Sequence, residues 1–166
     1  MTILRRFLVL AVLMFWQGGF LFYAAVVVPV GRASLGPSQS IVTQRVTIFL
    51  NLAGAAALLP LAWDVWTTPS RRSWRWACWL GMAAALPALI WLHGRIDGLI
   101  APGTPEVLDH QTFYPSHQMY LWLSTLQWAF AMFFVVLSLG AWSEVDRLMG
   151  AAIDKERSGM GCDTSG

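Results

Sequence analysis

The chain has 166 residues, of which 57% are hydrophobic and 12% are charged, whereas soluble domains are roughly 45–50% apolar and about 25% charged. Eleven Lys and Arg with nine Asp and Glu cannot coat a soluble core, so the composition excludes a soluble enzyme fold and indicates an integral membrane protein. The net charge of +2 comes from dispersed basic residues, which excludes a nucleic-acid partner because that binding needs a clustered basic surface.

The first apolar run covers residues 7–30 and can cross the hydrocarbon, which takes about 20 helical residues. It is longer than the roughly 7–15 residues of a secretory h-region. We therefore interpret it as a retained transmembrane helix, with a signal peptide as the alternative. Residues 31–45 contain two glycines and a proline and are predicted to form a loop. A second span follows over residues 46–66, with a kink at Pro60.

A short basic turn precedes the third predicted span, residues 76–92, in which Pro87 marks another kink. Residues 93–118 are more polar and contain three prolines, which predicts a long, structured loop. The fourth span is predicted over residues 119–142. Residues 143–166 then form a cytoplasmic amphipathic extension that ends in a disordered tail.

The basic residues determine the predicted orientation. Eight of the 11 Lys and Arg lie at the N-terminus, in the turn after the second span or in the C-terminal tail. By the positive-inside rule, both termini are cytoplasmic and the long loop is extracytoplasmic. The predicted fold class is all-α: residues 1–142 form an up-down-up-down bundle of four transmembrane helices in the inner (plasma) membrane. The lipid bilayer is its expected partner.

All three histidines lie in or beside the long loop, which makes this region the strongest candidate for a functional site. His93 and Asp97 are four residues apart, so they share a face if the third helix continues by one turn. Imidazole with carboxylate suits a divalent transition metal. The candidate metal ligands are His93, Asp97, Asp109 and His117.

A stripe of polar residues recurs along the fourth span at spacings of three, four and three, as one helix face requires. Asn51 and Tyr23, on the second and first spans, are placed at a comparable depth. The predicted extracytoplasmic ligand pocket comprises Tyr23, Asn51, His93, His117, Tyr120, Ser124 and Gln127. The alternative is that these side chains only hold the helices together through interhelical hydrogen bonds or, for the two histidines, lie at the interface.

Other sequence signals are weaker. Asp64, near the inner end of the second span, is interpreted as an interfacial acid that pairs with Arg71 or Arg72. The sequence contains no HExxH, GxSxG, P-loop or Rossmann fingerprint. A non-enzymatic role is therefore favoured, although membrane enzymes can use loop histidines that no short motif captures.

Three segments carry a family resemblance. They are Phe15-Trp16-Gln17-Gly18-Gly19-Phe20-Leu21-Phe22-Tyr23 with the later Val28-Pro29-Val30, Val42-Thr43-Gln44-Arg45-Val46-Thr47, and Phe113-Tyr114-Pro115-Ser116-His117-Gln118-Met119-Tyr120. The chain resembles, over roughly residues 8–142, bacterial four-helix membrane proteins with a transmembrane-protein-205-like domain. A weaker similarity, to membrane proteins of the copper-resistance D type, implies copper handling.

These observations predict a membrane protein of unknown process that binds a small ligand or a metal in the extracytoplasmic pocket. The sequence does not identify a cofactor; a divalent transition metal is one candidate, and the alternative is that the histidines form a proton-sensitive cluster at the pocket. Two alternatives stay open: a redox protein in which His93 and His117 ligate a haem, and an accessory subunit of a larger complex, with other membrane subunits as partners.

Overall fold

The computed structural model describes residues 2–101 and 106–160, and nearly all of them are helical. The elements are α1 (Thr2–Phe22), a π-helical segment (Tyr23–Val27), α2 (Val28–Leu35), α3 (Gln39–Thr67), α4 (Arg72–Asp97) and α5 (His110–Met160). A 3-10 turn, Gly36–Ser38, joins α2 to α3. The described residues thus confirm the all-α fold class.

Four helical stretches are long and apolar enough to cross a membrane. They are Thr2–Leu35, Gln39–Thr67, Arg72–Asp97 and His110–Lys155. Each stretch keeps large apolar side chains exposed, such as Phe15, Phe49, Ile90 and Phe133. Apolar surface spread over every helix of a bundle is the pattern of a protein surrounded by lipid. The chain therefore has the character of a multi-pass membrane protein.

The loop predicted over residues 31–45 is wrong, because α2 continues to Leu35 and α3 already begins at Gln39. The chain changes direction between α2 and α3 at Gly36, whose φ of 57° is one that residues with a side chain rarely adopt. Gly31 does not break the helix. It lies inside α2, and a Cβ there would overlap the side-chain amide of Gln39, so this glycine permits close packing.

The other helices also extend beyond their predicted ends. In the structure, α4 extends to Asp97 and α5 begins at His110. The connection between them is therefore residues 98–109, shorter than the predicted loop, and residues 102–105 lie outside the described residues. The extension predicted from residue 143 is helical to Met160, and residues 161–166 also lie outside the described part. Apolar runs mark the membrane-buried length, whereas an established helix propagates into polar sequence at little cost.

The first membrane stretch changes its helical pitch near one end. The N–H of Val28 bonds the carbonyl of Tyr23, five residues earlier. Pro29, which follows, lacks an N–H, and its ring would press on the carbonyl of residue 25 in a regular α-helix. A wider turn of this kind is a known way to accommodate such a strain. Tyr23, at the beginning of the π-helical segment, is buried.

The core packs α1 against α3, α3 against α4, and α4 against α5. Leu61, Met82 and Phe134 at its centre are fully buried. Glycines let aromatic rings approach the helix backbones: Trp16 covers Gly54 and Phe130 covers Gly81 so closely that a Cβ at either glycine would lie under 3 Å from the ring. Small residues at helix interfaces have this role in membrane bundles.

Candidate functional site

Polar side chains concentrate at the two ends of the bundle. We call them the His93 end and the Arg75 end, after residues near the last and first turns of α4. The two residues are about 27 Å apart at 1.5 Å of rise per residue, which is close to the hydrocarbon thickness of a bilayer. The predicted pocket residues His93 and Tyr120 lie at the His93 end, whereas Gln127 contacts Met82 in the middle of α4.

A chain of hydroxyl hydrogen bonds joins the first membrane stretch to α3 at the His93 end. The Tyr23 hydroxyl donates to Thr43 Oγ1 at 2.8 Å, and the Thr43 hydroxyl donates to the Gln39 carbonyl at 3.1 Å. Thr47 in turn donates to the Thr43 carbonyl at 2.8 Å. Tyr23 was predicted as a pocket residue, but its partners Thr43 and Gln39 were not, because the predicted loop placed both outside a span.

His93 and Asp97 lie side by side on α4, as the four-residue spacing requires. His93 Nε2 is 3.3 Å from Asp97 Oδ2, and the His93 side chain is mostly buried. Its ring lies 6.4 Å, between centroids, from that of Tyr120 on α5. Tyr120 is also close enough to Tyr23 for an electrostatic interaction. The structure therefore brings His93 and Tyr120 together from two membrane stretches.

Two further predicted residues, Ser124 and Gln127, are buried on the inner face of α5. The Ser124 hydroxyl donates to the Tyr120 carbonyl at 2.9 Å, within its own helix. Gln127 Nε2 donates to the Met82 carbonyl of α4 at 3.2 Å. Side-chain amides commonly hydrogen-bond across helices in membrane bundles. Gln127 thus already has an interhelical partner, as the packing alternative expects.

The remaining predicted residues are more peripheral. His117 is exposed, stacks on Phe113 with ring centroids 5.8 Å apart, and is near enough to Arg32 to interact electrostatically. Asn51 is half-buried on α3, one turn beyond Thr47. His93 and His117 therefore have different neighbours, namely Asp97 and Tyr120 for the first and Phe113 for the second.

Asp109 is bonded to the backbone at the start of α5. Its Oδ1 accepts the backbone N–H groups of Gln111 at 2.9 Å and Thr112 at 3.3 Å, which makes it the N-cap of α5. The hydrogen bonds to Thr112, together with the amide of Gln111, lower the pKa of the Asp109 carboxyl. Within residues 2–101 and 106–160, no group of three or more His, Cys, Asp or Glu side chains is arranged to hold a metal ion.

Three buried polar atoms at the His93 end make no hydrogen bond within the described part of the chain. They are Gln39 Nε2, His93 Nε2 and Asp97 Oδ1. Gln39 is only 4% exposed, so its amide is withdrawn from solvent as well. A buried donor without an acceptor costs about 1–3 kcal/mol. They comprise one amide nitrogen, one imidazole nitrogen and one carboxylate oxygen.

The Arg75 end holds a buried ionic cluster that the sequence interpretation missed. Asp64 and Arg75 are both fully buried and form an ion pair. Arg5 from α1 adds a second cation, with its Nε 2.8 Å from Asp64 Oδ1. Trp142 Nε1 donates to both carboxylate oxygens at 3.2 and 3.3 Å. The predicted pairing of Asp64 with Arg71 or Arg72 is therefore wrong, because Asp64 pairs with Arg75 and Arg5.

The cluster binds all the membrane stretches together. Arg75 Nε donates to Ser138 Oγ of α5 at 3.1 Å. Arg5 Nη2 donates to Thr68 Oγ1, after α3, at 3.0 Å. At the exposed surface of this end, Arg6 makes a bidentate contact with Asp146 through two hydrogen bonds of 2.8 Å. The sequence did contain a signal for this cluster. Asp64 and Arg75 flank the short turn between two apolar runs, and ionisable residues within membrane spans generally pair with one another.

The fold and site together define a four-stretch helical membrane protein with a polar group at each end. No protein-family model matches the chain, and neither a curated protein nor a solved structure is detectably similar to it. The resemblance to proteins with a transmembrane-protein-205-like domain and to the copper-resistance D type therefore stays a prediction.

Proposed function

We propose that this chain is an up-down-up-down integral membrane protein of the inner (plasma) membrane, with both termini cytoplasmic, that binds a small ligand at its extracytoplasmic His93 end. The orientation is supported by the eight basic residues placed on one side by the positive-inside rule. The contacts of Arg5 with Thr68 and of Arg6 with Asp146 are consistent with this arrangement, since they join the N-terminus, the α3–α4 turn and α5 at one end.

The observation that carries the ligand proposal is that Gln39 Nε2, His93 Nε2 and Asp97 Oδ1 are buried without a well-formed hydrogen bond in the described part of the chain, although His93 Nε2 lies 3.3 Å from Asp97 Oδ2. Polar groups near hydrocarbon must find protein, water or ligand partners. The Tyr120 ring lies 6.4 Å from the His93 ring, and the Tyr23 hydroxyl bonds Thr43, whose own hydroxyl bonds the Gln39 carbonyl. A mainly apolar site with a few convergent polar groups is the usual composition of a small-molecule pocket.

The proposal is tested by native mass spectrometry of the protein extracted from its own membrane in a mild detergent. We expect a non-covalent mass adduct on the wild type that is lost in His93→Ala and weakened in Tyr120→Phe. Trp122→Phe is the matched control, because Trp122 is an exposed aromatic residue of the same helix. Equal adducts on wild type and His93→Ala, or no adduct on any variant, would refute the pocket.

A further inference from the structure

A polar cavity lies between α1 and α5 at the Arg75 end of the bundle. It has a volume of about 550 Å³. One residue of α1 and five of α5 form its walls, namely Arg6, Leu139, Trp142, Ser143, Asp146 and Arg147. Leu139, Ser143 and Arg147 are exposed. The cavity is therefore open to molecules at the surface of the bundle.

One wall of the cavity is a fixed pair of opposite charges. Arg6 holds the Asp146 carboxylate through two hydrogen bonds of 2.8 Å, and its guanidinium carbon lies 5.5 Å from the centroid of the Trp142 ring. Trp142 is buried and donates to Asp64. The Arg6–Asp146 pair is thus attached to the buried ionic cluster, and the charge of Asp146 is already compensated.

Two polar groups of α5 complete the cavity. Ser143 and Arg147 are four residues apart, so they lie on the same side of the helix, and both line the cavity. Within residues 2–101 and 106–160, neither side chain has a hydrogen bond or an ion pair. A hydroxyl and a guanidinium both donate hydrogen bonds, and the guanidinium is always charged. The open side of the cavity thus offers donors and a cation, which suit an anion.

The Arg75 end as a whole carries an excess of positive charge. Residues 2–6, 64–75 and 144–147 meet there, and these segments contain six arginines but three carboxylates. Trp66 and Trp74 at the same end are largely exposed, as tryptophans at a membrane–water interface are. The excess charge therefore lies at the depth of lipid head groups and attracts anions to the cavity.

Apolar surface begins at one edge of the cavity. Leu139 lines it, and Val136 lies three residues earlier on the same side of α5; both are exposed. Ser143 and Arg147 follow Leu139 by four and eight residues, so one face of the helix changes from apolar to cationic across the cavity. An anionic head group joined to an acyl chain matches this order, whereas a small inorganic anion would contact the polar part alone.

We propose that this cavity binds an anionic phospholipid. The guanidinium of Arg147 and the hydroxyl of Ser143 donate to the phosphate oxygens, and one acyl chain follows the apolar face of α5 from Leu139. A zwitterionic head group fits less well, because the carboxylate in the described wall, Asp146, is already in an ion pair and does not neutralise an ammonium group. Basic pockets between membrane helices are a known type of site for anionic head groups. The lipid site lies at the opposite end of the bundle from His93 and is independent of the proposed ligand pocket.

The test is a titration of the full-length protein in detergent with dioleoylphosphatidylglycerol, followed by native mass spectrometry. We expect one such lipid to bind more tightly than dioleoylphosphatidylcholine, which has the same chains and no net charge. Arg147→Gln should weaken binding of the anionic lipid by about fivefold or more, the effect of one basic residue at a lipid surface. Ser143→Ala should weaken it by about two- to tenfold, the range for one lost hydrogen bond. Arg45→Gln is the matched control, because it removes the same charge from an exposed arginine near the other end of α3.

The outcomes separate the possible explanations. Equal affinity for the two lipids would overturn the anionic head group. Unchanged binding in Arg147→Gln, or an equal loss in Arg45→Gln, would overturn the cavity as the site, since binding would then not depend on it or would follow net charge alone. Displacement of the lipid by inorganic phosphate, but not by chloride at the same ionic strength, would show that the cavity takes the free ion and would overturn the lipid assignment.

Discussion

At the scale of single residues, the most constrained group is Asp64. It is fully buried, and it accepts contacts from Arg75, Arg5 and Trp142. Removing one member of a buried ion pair leaves an uncompensated charge, whereas an exposed pair contributes little. The ionic cluster therefore depends on this one carboxylate more than on any other residue at the Arg75 end.

We predict that Asp64→Asn lowers the free energy of unfolding by about 3 kcal/mol or more, because Arg75 and Arg5 lose their charge partner inside the bundle. The measurement is unfolding in mixed detergent micelles followed by circular dichroism. Asp146→Asn makes the same chemical change at an exposed carboxylate that pairs with Arg6, and it should change stability little. Equal effects of the two substitutions would contradict a special role for the buried cluster.

A second prediction concerns Asp109, the N-cap of α5. Asp109→Ala should speed amide exchange at Gln111 and Thr112, whose N–H groups it accepts, while Asp109→Asn should keep most of the protection because asparagine also caps helices. The pKa of the Asp109 carboxyl is lowered in the folded protein. Its stabilising contribution is therefore present above the unfolded pKa, near 3.9, and is lost as pH falls through the folded value.

Hydrogen exchange followed by mass spectrometry, with protection factors corrected for the intrinsic pH dependence, checks this prediction. Protection at the two amides that stays constant down to the lowest pH would show that the charge on Asp109 does not contribute. If the Asp109→Ala variant retained full protection, the capping assignment itself would be wrong.

At the scale of helices, two glycines of the same chain have opposite surroundings. Gly54 on α3 lies beneath the Trp16 indole, with ring atoms 2.7 to 2.8 Å from the position of a Cβ. Gly18 on α1 faces open space. The buried indole of Trp16 cannot move aside as a flexible side chain would, so α1 and α3 would have to separate to admit a methyl group.

We therefore predict that Gly54→Ala destabilises the protein by about 1–3 kcal/mol, the usual range for overpacking. Gly18→Ala should be neutral or stabilise by up to about 1 kcal/mol, because alanine is the better helix former. Thermal unfolding of both variants in the same detergent makes the comparison. A loss of stability in Gly18→Ala equal to that in Gly54→Ala would mean that helix propensity or flexibility, and not contact with Trp16, controls the response.

At the scale of the whole molecule, the orientation can be measured directly. In a background with Cys78→Ala and Cys162→Ser, we expect Ser73→Cys to react with an impermeant thiol reagent only after the cells are opened. Gln111→Cys should react in intact spheroplasts. Both positions are exposed in the fold, so a failure to label reports membrane side and not burial. The opposite labelling pattern would invert the proposed topology and place the His93 end inside.

The sequence by itself determined the class of architecture. Four apolar stretches separated by turns admit only a helical bundle, because in lipid every backbone polar group must be bonded within the chain. Their ends were less predictable. Hydropathy reports the length buried in hydrocarbon, while helices such as α3 and α5 continue until a cap or a turn residue stops them, as Gly36 does between α2 and α3.

For the candidate site, helical spacing placed His93 beside Asp97, and it put Ser124 and Gln127 on the buried face of α5. The tertiary structure alone decided which side chains meet across helices. Gln39 and Thr43 join Tyr23 because α3 begins earlier than its apolar run, and Arg5 reaches Asp64 from a position far away in the chain. Such contacts depend on rotation and register between helices, which are set by packing of the whole bundle and leave no local pattern in the sequence.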